Sequence, residues 1–95
     1  MMVKYESVFI VNPELGEEGI QALVAKFKGL IEASATIDNF AEWGKRRLAY
    51  PIDDINEGYY VCVQFTAEPT LPAELERVFK ITDGILRFLV LKIEE

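Results

Sequence analysis

The sequence predicts an α+β fold of the ferredoxin-like kind, a β-α-β-β-α-β sandwich in which a four-stranded antiparallel sheet carries two helices on one face. Three observations lead there. Two stretches with apolar residues at 3.6-residue spacing alternate with four stretches rich in β-branched and aromatic residues, and right-handed crossovers close that order into the split βαβ arrangement. The 95 residues, 51% of them hydrophobic, suffice for one core and one domain over 1–95, and not for two. The first and last β-like stretches are apolar in both parities of their alternation, as expected of central strands with little solvent-compatible face.

The first strand runs from Val3 to Asn12 through Val8-Phe9-Ile10-Val11 and stops at Asn12-Pro13, where proline removes a ladder donor. From Glu17 to Glu32, Ile20, Leu23, Val24, Phe27, Leu30 and Ile31 recur at i, i+3, i+4, i+7, i+10 and i+11, one stripe of a helix. Ala35 to Tyr50 is proline-free and long for a strand, with Gly44 marking a bulge or bend. Pro51 to Gly58 is polar turn chemistry, including Asp53-Asp54 and Asn56-Glu57-Gly58, and leads into a third strand at Tyr59–Phe65 that pairs back on the second as a hairpin. Thr70 is placed to cap a second helix, Pro72 suits its first turn, and Leu71, Leu75, Val78 and Phe79 mark its apolar face before Asp83-Gly84. Ile85 to Ile93, interrupted only by Arg87 and Lys92, reads as the fourth strand.

Both parities of the first strand are apolar: Phe9 and Val11 in one, Val8 and Ile10 in the other. The fourth strand sets Leu86, Phe88 and Val90 against Arg87, Leu89 and Leu91. If helices cover one face, Val8, Ile10 and Leu89 belong to a second contact surface, and a protein partner is the sharper explanation for it.

Composition removes several function classes. The chain has no His and one Cys, so Ser/His or Cys/His nucleophilic machinery and Cys/His zinc sites cannot be assembled, and no metal or other cofactor is expected. Glu74 with Glu76, and Asp53 with Asp54, lack the apolar pocket that would separate their acidities, and Cys62 lacks a neighbouring base, so no enzyme is expected. Acylphosphatases share the element order, but the loop after the first strand, Asn12-Pro13-Glu14-Leu15-Gly16, is acidic where they bind phosphate. The segment Gly58–Phe65 mimics the third-strand signature of RNA-recognition motifs, yet Glu57, Tyr60 and Val61 stand where a cation, a small residue and an aromatic belong. No apolar run is long enough for a membrane span and no signal-peptide pattern opens the chain, which reads as cytoplasmic.

A net charge of −6 argues against nucleic acid gripped over the whole surface. Basicity is local: residues 41–50 carry +2, against −3 before them and −5 after. Within that stretch Lys45-Arg46-Arg47 follows Gly44, and strand alternation sends Arg46 to one side of the ribbon and Lys45 and Arg47 to the other. Such cations can guard an edge strand or meet phosphates.

At this block, Trp43-Gly44-Lys45-Arg46-Arg47-Leu48-Ala49-Tyr50-Pro51-Ile52, followed by Gly58-Tyr59-Tyr60, the chain closely resembles the family of protein six of the bacterial small ribosomal subunit. Tyr5-Glu6, Asn12-Pro13, Glu74-Leu75-Glu76, Phe79, Asp83, Ile85, Arg87 and Val90 extend the resemblance over essentially the whole chain. The resemblance implies a ribosome-bound, non-enzymatic protein that pairs with ribosomal protein eighteen and binds the central domain of small-subunit rRNA. It implies Lys45, Arg46 and Arg47 at RNA or the partner, with Lys4, Arg87 and Lys92 as further RNA candidates, and Trp43, Leu48 and Tyr50 as apolar surface toward the partner. Val3 and Leu86 stand where relatives often carry Arg, which shifts RNA affinity toward the protein pair. The alternative left open by the residues themselves is a self-associating ferredoxin-like module that binds a small ligand at its dimer interface.

Overall fold

The computed structural model describes residues 2–52 and 55–93. Its elements are β1 (Val3–Val11), a 3-10 turn (Pro13–Leu15), α1 (Gly16–Ser34), β2 (Ala35–Ile52), β3 (Ile55–Ala67), α2 (Leu71–Ile81) and β4 (Ile85–Lys92). The strands form one antiparallel sheet in the order β2-β3-β1-β4, so β1 is central, as its two apolar parities suggest, whereas β4, also expected to be central, is an edge strand beside β1 whose second apolar parity faces the side away from the helices.

Pairing register explains the core. Tyr5, Ser7, Phe9 and Val11 of β1 sit opposite Phe65, Val63, Val61 and Tyr59 of β3, and these residues point to the helices. Against them α1 presents Ile20, Val24, Phe27 and Ile31, and α2 presents Leu71, Leu75, Val78 and Phe79. α1 lies against β2 and β3, and α2 against β4. At the centre Phe27 stacks on Phe79 at 4.3 Å between ring centroids, while Phe9 meets the two at 5.4 and 5.2 Å and Phe88 stacks on the far side of Phe79 at 5.1 Å. Such offset aromatic contacts add directional preference to area burial.

Several local expectations change. Strand two extends to Ile52 and strand three begins at Ile55, because Arg46, Arg47 and Ile52 pair with Gly58, Glu57 and Ile55. The Asn56-Glu57-Gly58 turn chemistry is therefore overridden by cross-strand pairing, and Gly58 serves another purpose: a Cβ there would stand 2.2 Å from Ile10 Cγ2, so only glycine lets the hairpin pass so closely over β1. Asp53 and Asp54 lie outside the described residues. Thr70 has helical backbone angles and makes no capping bond, whereas Asn12 does the capping job unassigned to it: its Oδ1 accepts from the Glu14 N–H at 2.9 Å and starts the 3-10 turn. The Asn12 N–H donates to the Gly84 carbonyl at 2.7 Å, tying the end of β1 to the start of β4.

Candidate partner and nucleic-acid interface

The sheet face away from the helices is built in rows by the same register. Asn39, Gln64, Glu6 and Leu91 form one row; Ala41, Cys62, Val8 and Leu89 the next; Gly44, Tyr60, Ile10 and Arg87 the third; Arg46 and Gly58 continue into the hairpin. No helix covers these residues, yet most are apolar. Leu89 and Leu91 stay about half exposed, and between β1 and β4 a groove of about 300 Å³ is lined by Val8, Ile10, Arg87, Phe88 and Leu89.

Two bulges in β2 decide which residues of the basic block reach this face. Pairing shifts between Ile37 and Asn39 and again between Glu42 and Gly44, and each extra residue reverses the alternation. Gly44 absorbs the second with a φ of 83°, a conformation that costs glycine little. Trp43, the extra residue, lays its indole on Tyr60 at 6.3 Å and 17°, about half exposed. The net result places Arg46 on the open face, its Nε donating to the Trp43 carbonyl at 3.4 Å, while Lys45 and Arg47, opposite Tyr59 and Glu57, project to the helix side.

The six cations named from sequence therefore do not converge. Arg46 and Arg87 share the open face, at its two edges near the hairpin end. Lys4 belongs to the same face at the opposite end of β1, six residues from Ile10, or about 20 Å along the strand. Lys92, opposite Tyr5, has the helix-side parity at the rim of β4. Lys45 sits at a cleft of about 330 Å³ bounded by Pro13, Gly16, Glu17, Ile20, Gln21 and Tyr59. There the Tyr59 hydroxyl donates to Glu42 Oε1 at 2.9 Å and the Gln21 amide to the same oxygen at 3.3 Å. Burial, then Glu42, raises the Tyr59 phenol above its ordinary range. Glu17 and Glu42 offset the Lys45 charge, so this side is a weaker anion surface than the hairpin edge carrying Arg46.

The apolar candidates separate likewise. Val8 and Leu89 are accessible across the groove, and Tyr50 is largely exposed on the hairpin. Ile10 and Leu48 are buried, closing together over Gly58, so they support the face more than they present area to a partner. The register adds residues that composition did not single out: Tyr60 beneath Trp43, Leu91 beside Leu89, and the linked polar group Glu6, Cys62 and Gln64. The Cys62 thiol is covered, and desolvation together with the Glu6 carboxylate pushes its pKa up, which makes it a poor nucleophile. Among the described residues no His/Cys/Asp/Glu group has the arrangement of a metal site, and no helix is long and apolar enough to cross a membrane.

Comparisons with known proteins agree with this architecture. The family model described as Ribosomal protein S6 matches residues 4–92. The chain is 55% identical over 95 residues to the small ribosomal subunit protein bS6 of Clostridium perfringens, covering 99% of this chain and 100% of that one. It is 54% identical to the protein of the same name from Clostridium novyi, with the same coverage. A crystal structure of the 30S ribosomal protein S6 from Thermotoga maritima superposes with a TM-score of 0.92 at 33% identity, covering 98% of this chain and 89% of that one.

Proposed function

This chain belongs to the ribosomal protein S6 family, and from that premise we propose that it binds the central domain of small-subunit rRNA jointly with ribosomal protein eighteen, as a structural and non-catalytic component of the cytoplasmic small subunit. The observation that carries the reading is the pairing of an uncovered apolar sheet face with a cationic hairpin on one edge of it. The open face around Val8, Leu89 and Leu91, with Trp43 and Tyr50 exposed toward the hairpin and buried Ile10 and Leu48 supporting them, suits a protein partner. Arg46 and Arg87 flank that surface, and Arg47, Lys45, Lys4 and Lys92 lie around its margins, so phosphates are met at the border of the protein contact.

The physical logic is a shared site. A body of net charge −6 repels a polyanion at long range, and three adjacent cations on one ribbon cannot by themselves give tight RNA binding. A basic partner seated on the open face supplies the missing positive charge, and the hairpin cations then extend a surface that already attracts phosphate. Binding should be cooperative and salt-sensitive, the logarithm of affinity falling with a slope of about −0.9 per phosphate contacted on duplex-like RNA.

The test is binding of labelled central-domain rRNA to this protein alone, to the cognate protein eighteen alone, and to both, at two salt concentrations. Tight, salt-sensitive binding only with both proteins is the expected result. Arg46→Ala with Arg47→Ala should weaken the ternary complex while leaving the denaturation midpoint unchanged, since both side chains are exposed. An unaltered ternary affinity would remove these residues from the interface, and a stable homodimer that binds no RNA would overturn the reading.

A further inference from the structure

We propose that Glu6 is a recognition carboxylate for the protein partner, receiving an arginine or lysine of that partner on the open sheet face next to the groove between Val8 and Leu89. The inference rests on the reading above that this face holds a basic protein.

Among the described residues Glu6 is the one acidic residue in the three rows of the open face named above, on the central strand β1, half-buried between Gln64 of β3 and Leu91 of β4. Holding a half-buried carboxylate beside Val8 and Leu91 costs solvation that a hydrophobic residue in the same place would not, and Lys4, two residues along β1 on the same face, is exposed at the strand's far end. The site nonetheless fixes it: the Gln64 amide donates to Oε1 at 3.2 Å and the Cys62 thiol to the same oxygen at 3.5 Å. Both donors are neutral and both engage Oε1, so among the described residues Oε2 accepts no hydrogen bond. A carboxylate offers about four acceptor positions, which leaves a held and half-desolvated anion with unused capacity facing the uncovered side.

Charge complementarity names the occupant. A phosphate backbone over this row would be repelled by Glu6, so RNA belongs at the hairpin edge, with Arg46, and a cationic protein side chain belongs here. The flanking apolar surface of Val8, Leu89 and Leu91 would exclude water around such a pair once covered, which strengthens it. The register also sets a spacing: Glu6 lies about 10 Å along β1 from the middle of the groove between Val8 and Ile10. The partner should therefore present a cation and an apolar anchor roughly that far apart, with the cation at the end away from Arg87.

Calorimetric titration of cognate protein eighteen into the wild type, Glu6→Gln, Glu6→Lys and the control Glu32→Gln tests this, with sedimentation of each protein alone. Gln keeps a carbonyl for the Cys62 and Gln64 donors, so Glu6→Gln should fold as the wild type does. Glu32 is exposed on α1, on the opposite side of the sheet. The expected result is a loss of about tenfold in affinity for Glu6→Gln, a larger loss for Glu6→Lys and none for Glu32→Gln. An acidic substitution at one basic position of the partner should restore binding to Glu6→Lys. Wild-type binding with Glu6→Gln within twofold of it overturns the assignment of Glu6 while leaving the shared-site reading intact. Failure of the wild type to bind at all overturns both. A self-association that Glu6→Gln weakens, in place of binding to protein eighteen, would identify the occupant as a second copy and also overturn the proposal.

Discussion

The two faces of β1 are made of similar residues and do different work. Phe9 and Val11 are fully buried beneath α1 and α2, whereas Val8, one position away, lines an open groove. Hydrophobicity alone does not distinguish the two sides; what does is the presence of helices over one and of only the hairpin's flank over the other. A strand apolar in both parities is thus a report of two contacts, one inside the domain and one, on the reading proposed above, with another molecule.

That contrast is most directly broken at its centre. Phe9→Ala should cost about 3–5 kcal/mol in urea denaturation, because it empties the middle of the Phe9, Phe27 and Phe79 cluster. Val8→Ala should cost well under that, and should instead weaken binding of protein eighteen. Equal destabilisation by the two would mean the open face is as much core as the helix side.

Gly58 sharpens the comparison, since it lies on the open face and still tolerates nothing larger. Gly58→Ala should destabilise by about 1–3 kcal/mol, as the new methyl group must displace the β-branched Ile10 from beneath the hairpin. The open face is therefore tightly packed at its hairpin end and accessible around Leu89 and Leu91.

A smaller effect of opposite sign is expected on the helix side. The Ser7 hydroxyl is fully buried and has no hydrogen-bond partner among the described residues, lying between Val63 and Val90 in the register. Ser7→Ala should stabilise the fold by about 1 kcal/mol, measured as a shift in urea midpoint with an unchanged slope.

The weakest effect is a pH dependence on the open face. The Cys62 pKa is raised in the folded state by desolvation and by Glu6, so the folded protein holds that proton more tightly than the unfolded chain does. Its contribution is fully present below the unfolded thiol's pKa and is lost as pH rises from there through the folded pKa. Cys62→Ala should therefore show a shallower loss of stability than the wild type in denaturation series above pH 8.5, where an unfolded thiol begins to ionise.

Particular residues show how far the sequence can be read. The helical stripes Ile20–Ile31 and Leu71–Phe79 supply the helix side of the core, because an amphipathic period is a local property that survives tertiary context. Gly44 marks its bulge correctly for the same reason. The hairpin's length is not legible, since Asn56-Glu57-Gly58 has turn chemistry and becomes strand only when Arg46 and Arg47 pair across from it. Thr70 and Asn12 show the same limit at helix starts: both are suitable caps, and only the chain path decided that Asn12 makes the bond.

Local pattern by itself determined the β-α-β-β-α-β order, the two apolar faces of the first strand and the isolated basic block. Only the tertiary structure decided which cations share a surface. Parity along a strand is counted from its pairing register, and β2 carries two bulges ahead of the basic block where its glycine announces one. One bulge reverses the alternation and two restore it, so Arg46 reaches the open face with Arg87 while Lys45 and Arg47 turn to the helix side. The surroundings of Glu6 are not legible in the sequence for a related reason. A glutamate in a strand says little until the register sets it between Gln64 and Leu91, on the face that neither helix covers.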